Sequence, residues 1–191
     1  MNTSQLEAFI CSRTACNVNA TVGEQRDTLI QGLVFAQLRA DQQQEQAPGT
    51  RWGHAHSKVL QNLEWAKTRE QSITDEAPLG VGPAVASFAK RYLPADQASA
   101  IRLLIEQLMT QTAPPALLGA APTGSLVLAT VASAAKASVI TAVYQDPALL
   151  QLTCSQYRIF PDFWDLSTQL QTSVGAYVTR NLHCLQAVAE D

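Results

Sequence analysis

The chain has 191 residues, of which 47% are hydrophobic and 15% are charged, and its formal net charge is −3. This length and apolar content exclude a disordered chain and predict one globular domain over residues 1–191. Lysine and arginine occur singly, so the sequence lacks the basic stripe that nucleic-acid binding requires. We therefore expect no nucleic-acid partner.

The first residues contain no basic segment followed by an apolar one, which is the pattern of a signal peptide. We expect a cytoplasmic protein, or one exported without a cleavable signal peptide. The four cysteines, Cys11, Cys16, Cys154 and Cys184, show no CxxC spacing. Free thiols are the state that such a cytosolic sequence predicts.

Apolar residues at helical spacing predict five helices before residue 110. These helices centre on Phe9, Leu33, Val59, Phe88 and Leu104. Residues 65–74 fit either a continuation of the third helix or an edge strand. The front half of the chain is therefore expected to be mainly helical.

Residues 124–160 are rich in β-branched side chains and predict three short strands, 125–133, 138–145 and 152–160, in an antiparallel meander. A single buried helix from Ser125 to Tyr144 is the alternative, because residues 134–137 are helical in composition and lack the Gly or Asn of a tight hairpin. Such a helix would carry Lys136 as its one charge and would be long enough to cross a bilayer. A long helix from Asp162 to Leu185 is predicted to follow.

These elements predict an α+β fold in which several helices pack on a small antiparallel β-meander. An all-α helical bundle is the alternative, and it depends on residues 125–144 forming one helix rather than two strands.

His54 and His56 are the candidate metal ligands. Residues two apart on a helix point about 200° away from each other, so one ion does not readily bind both. A partly buried polar helix face explains the pair better. We expect no metal and no cofactor.

Cysteine provides the other candidate chemistry. Cys154 lies in the third predicted strand, and Cys184 directly follows His183. Small apolar filling of the core is the first interpretation, and a thiol that accepts an acyl chain is the second. The segment Gly80–Gly82 lacks the Lys-Ser/Thr of a phosphate-binding loop, and no H-E-x-x-H or G-x-S-x-G motif occurs.

Two blocks carry a family resemblance: Leu29…Leu33…Ala36-Gln37-Leu38-Arg39-Ala40-Asp41, and Trp52…Val59-Leu60-Gln61-Asn62-Leu63-Glu64-Trp65. They resemble the Evf-like virulence factors, small bacterial proteins with a helical front half, strands after the second Trp and a long last helix. The resemblance covers residues 21–70 and implies a fatty-acylated cysteine, for which Cys154 is the candidate. Glu64 departs from the pattern, which usually has Gly before the second Trp.

Low charge, abundant apolar residues and missing catalytic motifs favour a non-enzymatic interaction or virulence-associated protein. Its partner would be a hydrophobic ligand such as a lipid or acyl chain, or another protein. One alternative is an enzyme whose site is assembled from His54, His56, His183 and Cys184. The other is a membrane-active helical protein, for which membrane contact would come from residues 125–144. A polar cleft where the four residues meet would favour the enzyme.

Overall fold

The computed structural model describes residues 5–19, 23–49, 51–76, 80–111, 117, 124–146 and 149–188, leaving aside the side chains of 5–6, 75, 145–146 and 184–188. Within these ranges the fold is α+β, with five α-helices on one open sheet of seven strands. The predicted α+β class is confirmed and the all-α alternative is wrong, but the sheet is mixed and larger than the predicted small antiparallel meander.

The seven strands are β1 (Gln5–Cys11), β2 (Thr14–Asn17), β3 (Trp65–Asp75), β4 (Ser125–Ser133), β5 (Lys136–Asp146), β6 (Leu149–Ile159) and β7 (Leu182–Val188). Their order across the sheet is β3-β6-β5-β4-β2-β1-β7. Strands β2 and β4 pair in parallel, and the other neighbouring strands pair antiparallel. The predicted meander therefore forms the β4–β6 part of a larger sheet.

The helices are α1 (Glu24–Gln46), α2 (Trp52–Asn62), α3 (Val81–Tyr92), α4 (Ala95–Met109) and α5 (Ser167–Asn181), with a 3-10 helix at Pro161–Leu166 before α5. Helices α1, α2 and α5 cover one face of the sheet, and α3 and α4 cover the other. We call the first the aromatic face; it buries Phe9, Trp52, Trp65, Tyr157 and Phe163. We call the second the aliphatic face; it buries Ile10, Ile101, Leu104, Leu128 and Ile140.

Residues 125–144 form two strands joined by a turn at Ala134 and Ala135, so the single-helix interpretation is wrong. The backbone N–H of Ala135 donates to the Ser133 hydroxyl oxygen at 3.1 Å, and the indole N–H of Trp164 donates to the Ala134 carbonyl at 3.1 Å. The pairing register also shifts between Val131 and Ser133. This turn therefore forms without the Gly or Asn that a tight hairpin usually needs. It is stabilised instead by the Ser133 and Trp164 hydrogen bonds and by the register shift.

The predicted first helix around Phe9 is also wrong, because this segment is strand β1. Phe9 and Cys11 face the aromatic side, whereas Ala8 and Ile10 face the aliphatic side. This two-residue alternation is that of a strand buried on both faces, which a short apolar run does not distinguish from a helix. Ser12, in the left-handed region at φ 57°, turns the chain into β2.

The structure also decides two further points, the conformation of residues 65–74 and the length of the last helix. Residues 65–75 form a strand at one edge of the sheet. The predicted long last helix is shorter than expected, because its first residues form the 3-10 helix and residues 182–188 form β7, which pairs with β1. Sheet pairing at both ends of the chain therefore overrides the local helical pattern.

Among the described residues, the helices are too short or too polar to cross a bilayer. The membrane-active interpretation depended on the helix at 125–144, and that segment is two sheet strands instead.

Candidate functional site

The two histidines of α2 occupy different environments. His54 is exposed, whereas His56 is buried and its ring stacks on Trp52, with 5.2 Å between ring centroids. Burial lowers the pKa of His56 to about 3, so the ring is neutral at physiological pH. Its Nε2 atom has no hydrogen-bond partner among the described residues. His54 and His56 do not face one common site, and in the described part of the chain no three His, Cys, Asp or Glu side chains cluster as a metal site would require.

His183 lies far from the α2 histidines. It is exposed on edge strand β7, whereas α2 packs over β3 and β5. Strands β5 and β7 are four positions apart in the sheet, which corresponds to roughly 19 Å at the usual strand spacing. Cys184 is also on β7, and its side chain lies outside the described atoms. The structure does not bring together the four residues of the enzyme alternative.

Cys154 is on β6 and points into the aliphatic face, where its side chain is 3% exposed. Burial raises the pKa of this thiol to about 11, and nearby Arg69 offsets part of the rise. The thiol is therefore protonated at neutral pH, whereas a cysteine nucleophile reacts as the thiolate. Cys11, Cys16 and Cys154 are all free, as predicted. Acylation of Cys154 stays a prediction, and it would require this part of the sheet to open.

A cavity of about 630 Å³ lies beside the β4–β5 turn, where the sheet extends past the first turn of α4. We call it the hairpin pocket; its polar lining comprises Thr68, Gln97, Lys136, Ser138, Gln156 and Arg158. Its volume is within the range of sites that bind small molecules.

Strand register places two cations side by side in this pocket. Lys136 on β5 is directly opposite Arg158 on β6, and Ser138 is directly opposite Gln156 on the same face. Like charges directly opposite each other on neighbouring strands destabilise a sheet. Neither cation belongs to an ion pair within the described part of the chain. The arrangement therefore places two exposed cations, without an ion-pair partner among the described residues, at the mouth of a cavity.

The neutral groups of the hairpin pocket are oriented by hydrogen bonds. Ser138, which is buried, donates to Oε1 of Gln97 at 3.0 Å, and this leaves the Gln97 amide N–H groups as donors. The Arg158 guanidinium lies over the Phe160 ring at 5.4 Å from its centroid, which fixes the cation on one side. Ala132 and Ala135 supply apolar lining. The pocket thus presents fixed donors and positive charge next to a small apolar surface.

The described lining residues of the hairpin pocket include no histidine, cysteine or carboxylate. The Tyr157 hydroxyl pairs with Ser57 at 2.8 Å on the aromatic side of the sheet, and burial raises the pKa of this phenol. The charged side chains of the described lining are therefore both cations.

No sequence pattern identifies this pocket. Lys136 is the one charge between residues 125 and 144, and Arg158 belongs to no motif. Their proximity follows from the β5–β6 register, which the predicted meander implies but does not specify to the residue.

No protein-family model, no curated protein and no solved structure matches this chain. The resemblance to the Evf-like proteins stays a hypothesis.

Proposed function

We propose that this protein is a non-enzymatic binding protein whose ligand is a small amphipathic anion held in the hairpin pocket. The observation that carries the proposal is the directly opposed pair Lys136 and Arg158, for which the described residues supply no counter-ion. A bound carboxylate or phosphate would turn this unfavourable pair into a two-cation clamp.

The donors around the pair support an oxyanion as the recognised group. Gln97 presents its amide N–H groups from the first turn of α4, and the positive end of a helix dipole favours a nearby anion. Arg158 offers the planar fork that binds a carboxylate or phosphate through two parallel hydrogen bonds.

The apolar part of the ligand is inferred from the alanine lining and from the Phe160 ring beside Arg158. An acyl chain with a free carboxylate belongs to this chemical class. The resemblance to Evf-like proteins, which implies an acyl group, supports the same choice. The next residue pair inward on this face is Ile140 and Cys154, so Cys154 lies one step below the pocket rather than in it.

Calorimetric titration with octanoate, inorganic phosphate and octanol tests the proposal. We expect octanoate to bind saturably and more tightly than phosphate, and octanol not to bind, because the clamp recognises the anionic group. The double variant Lys136→Gln/Arg158→Gln should weaken octanoate binding by about tenfold or more, since each lost charge-assisted hydrogen bond contributes about 1.5–3 kcal/mol.

Lys58→Gln is the matched control, because Lys58 is an exposed lysine on α2, away from the pocket. It should leave octanoate affinity unchanged. Absence of saturable octanoate binding, or equal binding by the double variant, would refute the proposal. Phosphate binding as tight as octanoate binding would refute its amphipathic part.

Charge reversal at Lys136 separates binding from folding. In Lys136→Glu an opposite-charge pair replaces the like-charge pair, so the free protein should gain about 0.2–1 kcal/mol of unfolding free energy while octanoate binding is lost. Urea denaturation of the ligand-free protein measures the first effect and calorimetry the second. A variant that loses both stability and binding would indicate that Lys136 has a structural role instead.

A further inference from the structure

A second cavity, of about 670 Å³, lies on the opposite side of the sheet between α1 and α5. We call it the α1–α5 groove. Helix α1 contributes Glu24, Asp27 and Gln31, and α5 contributes Thr168, Gln171 and Thr172. No function has been assigned to it above, and it shares no lining residue with the hairpin pocket.

Gln31 forms a buried part of this groove and is only 7% exposed. Its amide nitrogen donates to the Gln171 side-chain oxygen. Its own oxygen, Oε1, is fully buried and has no hydrogen-bond partner among the described residues. A buried acceptor without a donor costs about 1–3 kcal/mol, so an N–H donor brought to this oxygen would be favourable.

The hydroxyls along α5 present acceptors as well. Thr172 donates its hydroxyl proton to the Thr168 carbonyl at 3.0 Å, and Thr179 donates to the Gly175 carbonyl at 2.9 Å. Each proton is thus used within the helix, which leaves oxygen lone pairs available to the groove. These two hydroxyls favour an occupant that brings hydrogen-bond donors.

The charged residues of the α1–α5 groove also favour an occupant that carries hydrogen-bond donors. Glu24 and Asp27 are exposed at the mouth of the groove, and neither joins an ion pair within the described ranges. Arg26, which lies between them in sequence, is bonded to Glu7 at 2.7 Å instead. The described lining contains no Lys, Arg or His. The groove is therefore negative and rich in acceptors.

The acceptors of the α1–α5 groove are spread along the length of α1. Glu24, Asp27 and Gln31 lie one turn apart along α1, so they cover roughly 10 Å of helix length. Val178 and Leu182 add apolar surface beside them. A single ammonium would reach one of these acceptors, whereas a linear chain with several N–H groups separated by methylenes would reach all of them.

We propose that the α1–α5 groove binds a linear aliphatic polyamine, with its ammonium groups on Glu24 and Asp27 and a further N–H on Gln31 Oε1. The inference is independent of the proposed anion site, because the two cavities use different residues on opposite faces of the sheet.

Spermidine is the probe, titrated into the full chain by calorimetry at moderate salt. We expect saturable binding, with affinity reduced by about tenfold or more in Glu24→Gln/Asp27→Asn, since two charge-assisted contacts are lost. Gln31→Leu should also weaken binding while keeping a cooperative unfolding transition, because the substitution removes the unpaired oxygen from the fold. If Gln31→Leu does not fold, the charge-neutral pair still decides the question.

Asp96→Asn is the matched control, because Asp96 is likewise an exposed acid in a first helical turn but lies on α4, outside the groove. It should bind spermidine like the parent protein. The proposal is overturned if spermidine does not saturate, if Mg²⁺ displaces it at equal concentration, or if Asp96→Asn weakens binding as much as the groove variant. Each of these outcomes would mean that general negative charge, rather than a site, attracts the cation.

Discussion

The two faces of the sheet are filled in different ways. The aliphatic face buries mainly Leu, Ile, Val and Ala from α3, α4 and the strands. The aromatic face buries most of the large rings together with polar side chains that bond to one another: Thr14 with Gln37 at 2.7 Å, and Ser57 with Tyr157 at 2.8 Å.

This difference teaches which contacts specify the fold. Aliphatic packing depends mainly on volume, so many arrangements of similar size satisfy it. A buried hydrogen bond is satisfied by one partner in one position. Gln37, for example, accepts from the Arg13 backbone N–H and the Thr14 hydroxyl and donates to the Ser12 hydroxyl, and so it holds the β1–β2 turn against α1.

Ring contacts add further geometry on the aromatic face. Trp65 meets Tyr157 and Phe163 edge-to-face, with 5.5 Å between ring centroids in both pairs. Gly32 of α1 permits the close approach of this cluster, because a Cβ there would lie 2.9 Å from the Phe163 ring. The aromatic face therefore determines how α1, α2 and the 3-10 helix dock, whereas the aliphatic face mainly supplies buried area.

The largest effect is expected from a cavity on the aliphatic face. Leu104 of α4 is fully buried, so Leu104→Ala should lower the free energy of unfolding by about 3–5 kcal/mol. Leu103→Ala, at a half-buried neighbouring position, is the control and should cost much less. Urea denaturation measures both. If the two variants lost equal stability, α4 would not be packed on the sheet as described.

An intermediate effect should come from His56 on the aromatic face. Its folded pKa, about 3, lies below the unfolded value of 6.5, so the unfolded chain takes up a proton first as the pH falls. The contribution of His56 to stability is complete above pH 6.5 and decreases by about 1.4 kcal/mol per pH unit between pH 6 and pH 4.

The difference between parent and His56→Leu isolates this term, because both proteins share the same carboxylates. The parent should lose stability faster than the variant as the pH falls through this interval in urea titrations. His54→Leu, at an exposed position of the same helix, should retain the pH dependence of the parent. Parallel curves for the parent and His56→Leu would show that His56 titrates normally in the folded protein.

The smallest effect tests backbone strain at Glu64, in the turn between the end of α2 and the start of β3. Glu64 has φ 69°, in the left-handed region that favours glycine, and it directly precedes buried Trp65. Glu64→Gly should raise the free energy of unfolding by about 0.5–1 kcal/mol, because relief of this strain exceeds the added freedom of the unfolded chain. Glu64→Ala keeps the strain and is the control. Thermal unfolding that ranks Ala above Gly would contradict this explanation.

Much of the site was beyond prediction from sequence. His54 and His56 were correctly placed on one helix and correctly separated by its geometry, because that argument is local. The pairing of Lys136 with Arg158 and the unpaired Gln31 oxygen were not foreseen, because each depends on which residue of one element faces which residue of another. A single sequence does not show which individual residues pair between two strands or touch between two helices.

The amino-acid order alone determined the elements with strong local signals. The helices α1 to α4 follow from side-chain periodicity, and the free thiols Cys11, Cys16 and Cys154 agree with cysteine spacing. For residues 125–144 β-branching favours two strands, but the sequence leaves one helix as the alternative, and sheet pairing decides between them. Only tertiary structure decided that residues 5–11 and 182–188 are strands, because each is stabilised by pairing with the other across most of the chain. A short apolar run has only a weak preference for helix or strand, so pairing with a neighbouring strand decides its conformation. The hairpin pocket and the α1–α5 groove form only where elements distant in sequence meet.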